Sequence, residues 1–153
     1  MKNVRLRSSL AVSTIASLLG ACAATIPPGD AAVAPDSSSR DLACVLPSNC
    51  VSTRGNGSLE PLRYTGASTR GLALLQATLA TFPEATVVRG EPLALTVIFT
   101  TPVGFRDEVD FRIDAEAQRI DFRSRSLFGL FDWGKNRSRM QEFRTRFEQQ
   151  SLR

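Results

Sequence analysis

Three groups of residues have types and spacings that could carry chemistry. Cys44 and Cys50 enclose Val45-Leu46-Pro47-Ser48-Asn49. In an exported chain two nearby cysteines default to a disulfide. Closing a loop of this size stabilises by roughly 2 kcal/mol in the chain-entropy model. A reactive thiol pair is the sharper alternative, although the spacing is not C-x-x-C and the chain has no His to activate a thiolate. Metal ligation would need two further ligands from elsewhere. The second group is Arg106, Asp110, Arg112, Asp114, Asp121, Arg123 and Arg125, with both charge signs on neighbouring segments. Cross-strand ion pairs on a solvated face, worth about a few tenths of a kcal/mol each, explain them. The functional alternatives are arginines holding a carboxylate or phosphate, or two carboxylates acting as a glycosidase-like acid/base pair. The third group is Asp132-Trp133-Gly134-Lys135-Asn136-Arg137-Ser138-Arg139. Asp132 or Asn136 can cap a following helix and Gly134 permits the turn. Arg137 and Arg139 are not needed for a cap. They would strengthen an anion site at the helix N-terminus, or answer to hairpin carboxylates such as Asp107 or Asp110.

The absence of His removes whole classes of mechanism. Neither a Ser-His-Asp triad, a Cys-His pair nor a His-ligated metal site can be built from this chain alone. No catalytic set, metal site or cofactor is expected. The formal charge is +4, but without Lys2, Arg5 and Arg7 there remain 16 basic against 15 acidic residues. Such a balance argues against nucleic acid as a partner, which calls for a concentrated basic stripe.

The elements that must position these residues follow from periodicity. Pro61–Thr65 is a short strand, and Ala67–Phe82 shows Leu72, Leu75, Leu79 and Phe82 on one helical face before Pro83. Val51–Glu60 reads as loop. Thr86–Arg89 is extended, a turn follows at Gly90-Glu91-Pro92, and Leu93, Leu95, Val97 and Phe99 share one face of a strand. Phe105, Asp107, Val109, Phe111 and Ile113 then alternate with Arg106, Glu108, Asp110, Arg112 and Asp114. After a turn around Ala115–Gln118, Ile120 and Phe122 alternate with Asp121, Arg123 and Arg125, completing an antiparallel hairpin. Met140, Phe143 and Phe147 mark one face of a last helix. The expected fold is α+β: a mostly antiparallel sheet of about five strands, order β-α-β-β-β-β-α, with two helices packed on one face. Val97, Phe99, Val109, Phe111, Ile113, Ile120, Phe122, Leu75, Leu79, Met140, Phe143 and Phe147 are its expected core.

The first residues read as an export signal. Met1–Arg7 carries three positive charges and no acid, and Ser8–Ala21 is small or apolar throughout. That run is shorter than the about 20 residues needed to span a bilayer. It ends in Leu19-Gly20-Ala21-Cys22, which resembles the lipobox of bacterial lipoproteins. The resemblance implies a signal peptide over 1–21 and lipidation of Cys22, with cleavage before it. Several acyl chains on one residue hold strongly, at about 0.8 kcal/mol per buried methylene. Ala23 in place of Asp implies the outer membrane, with the protein facing the periplasm. Residues 22–43 form the lipidated Cys and a tether, small, polar and Pro-containing, reaching about 25 Å root-mean-square. Residues 44–153 make a single domain.

These segments together resemble the domain of unknown function 1499 family, from Cys44 to about Phe147. The likeness rests on Cys44, Asn49-Cys50-Val51-Ser52, Pro61-Leu62-Arg63-Tyr64-Thr65-Gly66, Phe105-Arg106-Asp107-Glu108-Val109-Asp110-Phe111 and Arg123-Ser124-Arg125-Ser126, then Gly129, Asp132, Gly134, Asn136, Arg137 and Arg139. Two positions depart from the pattern: Ser48 stands where Pro usually precedes Asn-Cys, and Leu127 where Arg often follows the second Ser. The resemblance implies a fold and a set of marking residues, and no activity.

Three readings of function remain. One is a non-enzymatic envelope lipoprotein that binds a small anionic ligand or an envelope protein. Another is a carboxylate/Arg enzyme acting on an envelope sugar or phosphate compound. The third is a purely structural envelope protein. Convergence of Arg106, Asp107, Asp110, Arg123, Asp132, Asn136, Arg137 and Arg139 in one pocket would favour binding or catalysis, and dispersal a structural role.

Overall fold

The computed structural model describes residues 42–54 and 59–153. The export signal, Cys22, the tether up to residue 41 and the Gly55-Asn56-Gly57 loop lie outside the described residues. A 3-10 turn at Pro47–Asn49 leads into strand β1 (Cys50–Ser52), followed by β2 (Leu62–Arg63) and helix α1 (Ser68–Leu79). Then come β3 (Ala85–Glu91), β4 (Ala94–Thr100), β5 (Arg106–Asp114), β6 (Arg119–Ser126) and helix α2 (Lys135–Ser151). The fold is α+β, with one six-stranded antiparallel sheet in the order β1-β6-β5-β4-β3 and β2 also paired to β6.

Alternation decides which way the sheet faces. Val97 sits opposite Val109 and Val109 opposite Ser124, so the odd positions of β4 and β5 and the even positions of β6 point the same way. That face carries Leu95, Val97, Phe99, Val109, Phe111, Ile113, Ile120 and Phe122, and it is covered by Leu75 and Leu79 of α1 and Met140, Phe143 and Phe147 of α2. All twelve expected core residues are buried in this one cluster. Phe143 lies against both Phe111 and Phe82, at ring separations of 5.1 and 5.6 Å, which ties the middle of α2 to the sheet and to the turn after α1.

Four expectations are corrected. Val51 and Ser52, expected in a loop, belong to strand β1: its three residues pair with Arg123–Arg125 of β6, and so short a segment gains its structure from that edge, not from a pattern of its own. Helix α1 stops at Leu79, and Phe82 reaches the core from the turn beyond it. The turn is Pro92-Leu93 and not Gly90-Glu91-Pro92, since Gly90 and Glu91 still pair with β4, and Leu93 is exposed in that two-residue connection. Packing begins ahead of Cys44, since Leu42 is already buried. The Cys44–Cys50 disulfide is formed; it closes the entry segment onto β1.

Candidate functional site

Asp107 is the first anomaly of the sheet. It lies two residues before Val109 on the helix-facing side, where an acid must find partners or stay out of the core. Its register partner on β6 is Ser126, and Ser124 follows two places along on the same face. Helix α2 begins at Lys135, which brings Asn136 and Arg139 over these positions. Arg139 Nη2 donates to Asp107 Oδ2 at 2.5 Å, and Ser126 Oγ donates to Asp107 Oδ1 at 2.6 Å. Asn136 Oδ1 accepts from Ser124 Oγ at 2.6 Å and from Arg139 Nη1 at 3.1 Å. Its amide nitrogen donates to the Asn49 carbonyl and to Ser126 Oγ, both at 3.1 Å. The Asn136 amide thus has two acceptor bonds and two donor bonds, its full capacity. Asn49 Nδ2 extends the chain to the Gly129 carbonyl at 2.6 Å. Arg139 also lies over the Phe99 ring, 4.9 Å from its centroid. All these side chains are buried except the half-buried Ser126.

Asp110 and Arg123 are on the opposite face. Thr96, Asp110, Arg123 and Ser52 form one row across four strands. Arg123 Nη2 donates to Asp110 Oδ2 at 2.6 Å and Thr96 Oγ1 donates to Asp110 Oδ1 at 2.9 Å. Beside this row Arg125 grips Glu108, while Arg54 and Thr53 both donate to Asp121 at 2.9 Å. The expected cross-strand pairs are there, but the face is less solvated than alternation implies, with Asp110 and Asp121 buried. The guanidinium groups of Arg123 on Asp110, and of Arg54 and Arg119 on Asp121, lie against these short acids. At the hairpin turn the Ala117 N–H, assisted by Arg119 and opposed by burial, holds the Asp114 carboxyl below its ordinary range. Burial, then the Asp114 charge, pushes the nearby Tyr64 phenol above its ordinary value.

Asp132 caps the start of α2 from two residues before Gly134. Its carboxylate accepts the N–H of Gly134 at 3.0 Å and that of Asn136 at 2.9 Å. Gly134 occupies the left-handed region at φ +76°, which favours glycine. Asn136 is therefore not the cap but the buried junction. Arg139 is in the second turn of α2, clear of the helix end, and only Arg137 is in the first. Arg137 is exposed and lines a groove of about 560 Å³ with Arg54, Asp132 and the disulfide. Arg106 is also exposed and lines a separate groove beside the β6–α2 loop.

The eight candidates therefore do not meet. Asp107, Asn136 and Arg139 share one network on the helix side, and Asp110 and Arg123 lie across the sheet; Asp132 caps a helix and borders two grooves, one with Arg106 and the edge of Asp107, the other with Arg137. Asn49, Ser124 and Ser126 complete the network and were not expected in it. Their signal was present: β6 alternation carries Ile120 and Phe122 on to Ser124 and Ser126, polar residues on a core-facing register.

Residues 42–147 match the family model described as protein of unknown function (DUF1499). The chain belongs to that family. The match covers all the elements that build the DUF1499 domain here, from Leu42 to the last core residue of α2. No curated protein and no solved structure matches the chain. In this DUF1499 domain most of the marking residues are structural partners of one another. Asn49, Asp107, Ser124, Ser126, Gly129, Asn136 and Arg139 contribute to a single hydrogen-bonded network. Among the described residues no three His, Cys, Asp or Glu side chains are gathered as metal ligands, and no helix is long and apolar enough to cross a membrane.

Proposed function

We propose that this chain is an envelope lipoprotein, anchored through Cys22, whose DUF1499 domain serves a non-enzymatic binding or structural role. The observation that carries the non-enzymatic part is the state of its acids. Asp107 is engaged by Arg139 and Ser126, Asp110 by Arg123 and Thr96, and Asp132 by two backbone N–H groups. A general acid or base needs a carboxyl held for proton transfer beside a substrate, and these three are committed to the fold. The anchor rests on Leu19-Gly20-Ala21-Cys22 behind a basic leader. In the native host, mass spectrometry of the mature N-terminus should find an acylated Cys22, and Cys22→Ser should abolish acylation and processing. An unmodified residue 22 in the wild type would end the anchor reading.

A second reading has one observation in its favour. Arg137 and Arg54, the latter also bonded to Asp121, line the 560 Å³ groove beside the disulfide together with Asp132, and guanidinium groups suit a small anion such as a phosphate or carboxylate. A phosphate titration separates this reading from the first.

A further inference from the structure

The loop joining β6 to α2 begins Leu127-Phe128-Gly129-Leu130-Phe131-Asp132-Trp133 and ends at Gly134, apolar at five of its first seven positions. These side chains do not turn inward. Phe128 is 77% exposed, Leu130 67%, Phe131 65% and Trp133 95%. Val103 and Phe105 of the β4–β5 connection, also exposed, line one groove of about 390 Å³ with Phe128, Phe131 and Trp133. Single exposed apolar residues are ordinary, but a contiguous aromatic patch marks a surface that something covers.

The loop backbone is fastened in this presentation. Ser48 Oγ donates to the Leu130 carbonyl at 2.5 Å, Asn49 Nδ2 to the Gly129 carbonyl, and the Asp132 N–H to the Ser48 carbonyl. Asp132 in turn holds the N–H groups of Gly134 and Asn136. Between these ties Trp133 sits at φ +54°, a region bulky residues seldom adopt. The fixed backbone on both sides holds the indole outward.

The position of these ties names the occupant. Ser48 and Asn49 belong to the segment through which the chain enters the domain, a few residues after Leu42. Ala43 and Cys44 border the same groove as Asp132 and Gly134. The chain that leads back to Cys22 thus joins the domain at the edge that bears the aromatics. Lys135 and Arg106 lie in the lining of the aromatic groove together with Asp107 and Asp132, of which Asp107 is already paired to Arg139 and Asp132 is held by the N–H groups of Gly134 and Asn136. Trp and Phe flanked by cations suit the headgroup level of a bilayer, where indole rings settle and basic side chains meet phosphates. An anchor on a short tether also raises the local concentration of the loop at the surface, so shallow insertion needs little intrinsic affinity. We propose that the 127–133 loop, with Val103 and Phe105, is a membrane-docking surface that seats the domain on the bilayer. The proposal rests on the lipid anchor at Cys22 proposed above.

Trp133 is the only tryptophan in the chain and reports on the loop directly. The lipidated full-length product is reconstituted into vesicles of phosphatidylethanolamine and phosphatidylglycerol, with and without brominated acyl chains. Docking predicts a blue-shifted emission, protection from acrylamide, and quenching by the brominated lipid. Phe128→Ser with Phe131→Ser, both on exposed side chains, should abolish the bromine quenching while the far-ultraviolet spectrum stays unchanged. A chain that floats with the vesicles yet shows a water-exposed, unquenched Trp133 would overturn docking and leave the anchor standing. Protection from acrylamide without bromine quenching would overturn it in favour of a protein partner or a second copy. A chain that neither floats nor carries acyl mass removes the anchor, and the docking proposal with it.

Discussion

Asp107→Ala should destabilise the domain by about 3–5 kcal/mol, the cost of leaving a buried cation without its counter-ion. Arg139 is buried, and its Nη2 is directed at Asp107 Oδ2 from 2.5 Å. With the carboxylate gone, Ser126 also loses its acceptor, and the Asn136 amide is left to hold the cluster alone. Arg139→Met on the same background should recover much of the loss, because an apolar residue of similar length has no charge to strand. Urea unfolding of the four chains in this cycle gives the coupling energy. A loss under about 1 kcal/mol for Asp107→Ala, the range of an exposed pair, would mean that water reaches Arg139 and the pair is not buried.

Phe111→Ala should cost about 3–5 kcal/mol, a large part of the stability of a domain this size. Phe111 is fully buried at the centre of β5, with the Phe143 ring 5.1 Å away across the layer and the Phe122 ring 6.3 Å away on the neighbouring strand. The substitution removes the contact between sheet and α2 as well as the ring's own transfer energy. Chemical denaturation measures it. A change below about 1 kcal/mol would place Phe111 on the solvent face, with the hairpin register off by one residue.

Much of this architecture was legible because the hairpin repeats strictly. Val109, Phe111 and Ile113 against Ile120 and Phe122 fix which face is buried, and the register of Asp107 with Ser126 then follows from counting. What could not be read is where that alternation changes meaning. Asp107, Ser124 and Ser126 continue the core-facing register with polar side chains, and only the position of α2 shows that Asn136 and Arg139 satisfy them. Asn136 looked like a cap because it stands one residue inside a helix start. It is buried instead because Asp132 already holds the N–H groups a cap would serve. The opposite face read as solvated because charges usually are. The same count places Arg123 beside Asp110, but Arg54 reaches Asp121 from the end of β1, a contact that no spacing in the sequence brings together. The aromatic loop had a plain compositional signal at Leu127–Trp133, yet its exposure depends on ties to Ser48 and Asn49, 82 and 80 residues earlier.

The central claim is that the buried charges of this DUF1499 domain, Asp107 with Arg139 and Asp110 with Arg123, answer to one another, and that the exposed Arg137 serves no ligand. A phosphate titration of the melting temperature, wild type beside Arg137→Gln, tests it most directly. Phosphate strengthens burial in any protein by exclusion from its surface, so a shared small rise is expected in both. A purely structural set of charges predicts parallel curves, with Arg137→Gln at most lower by a constant amount. A dose-dependent rise in the wild type that disappears in Arg137→Gln is the signature of binding to the folded state. That result would contradict the claim and make the groove between Arg54 and Arg137 the functional site.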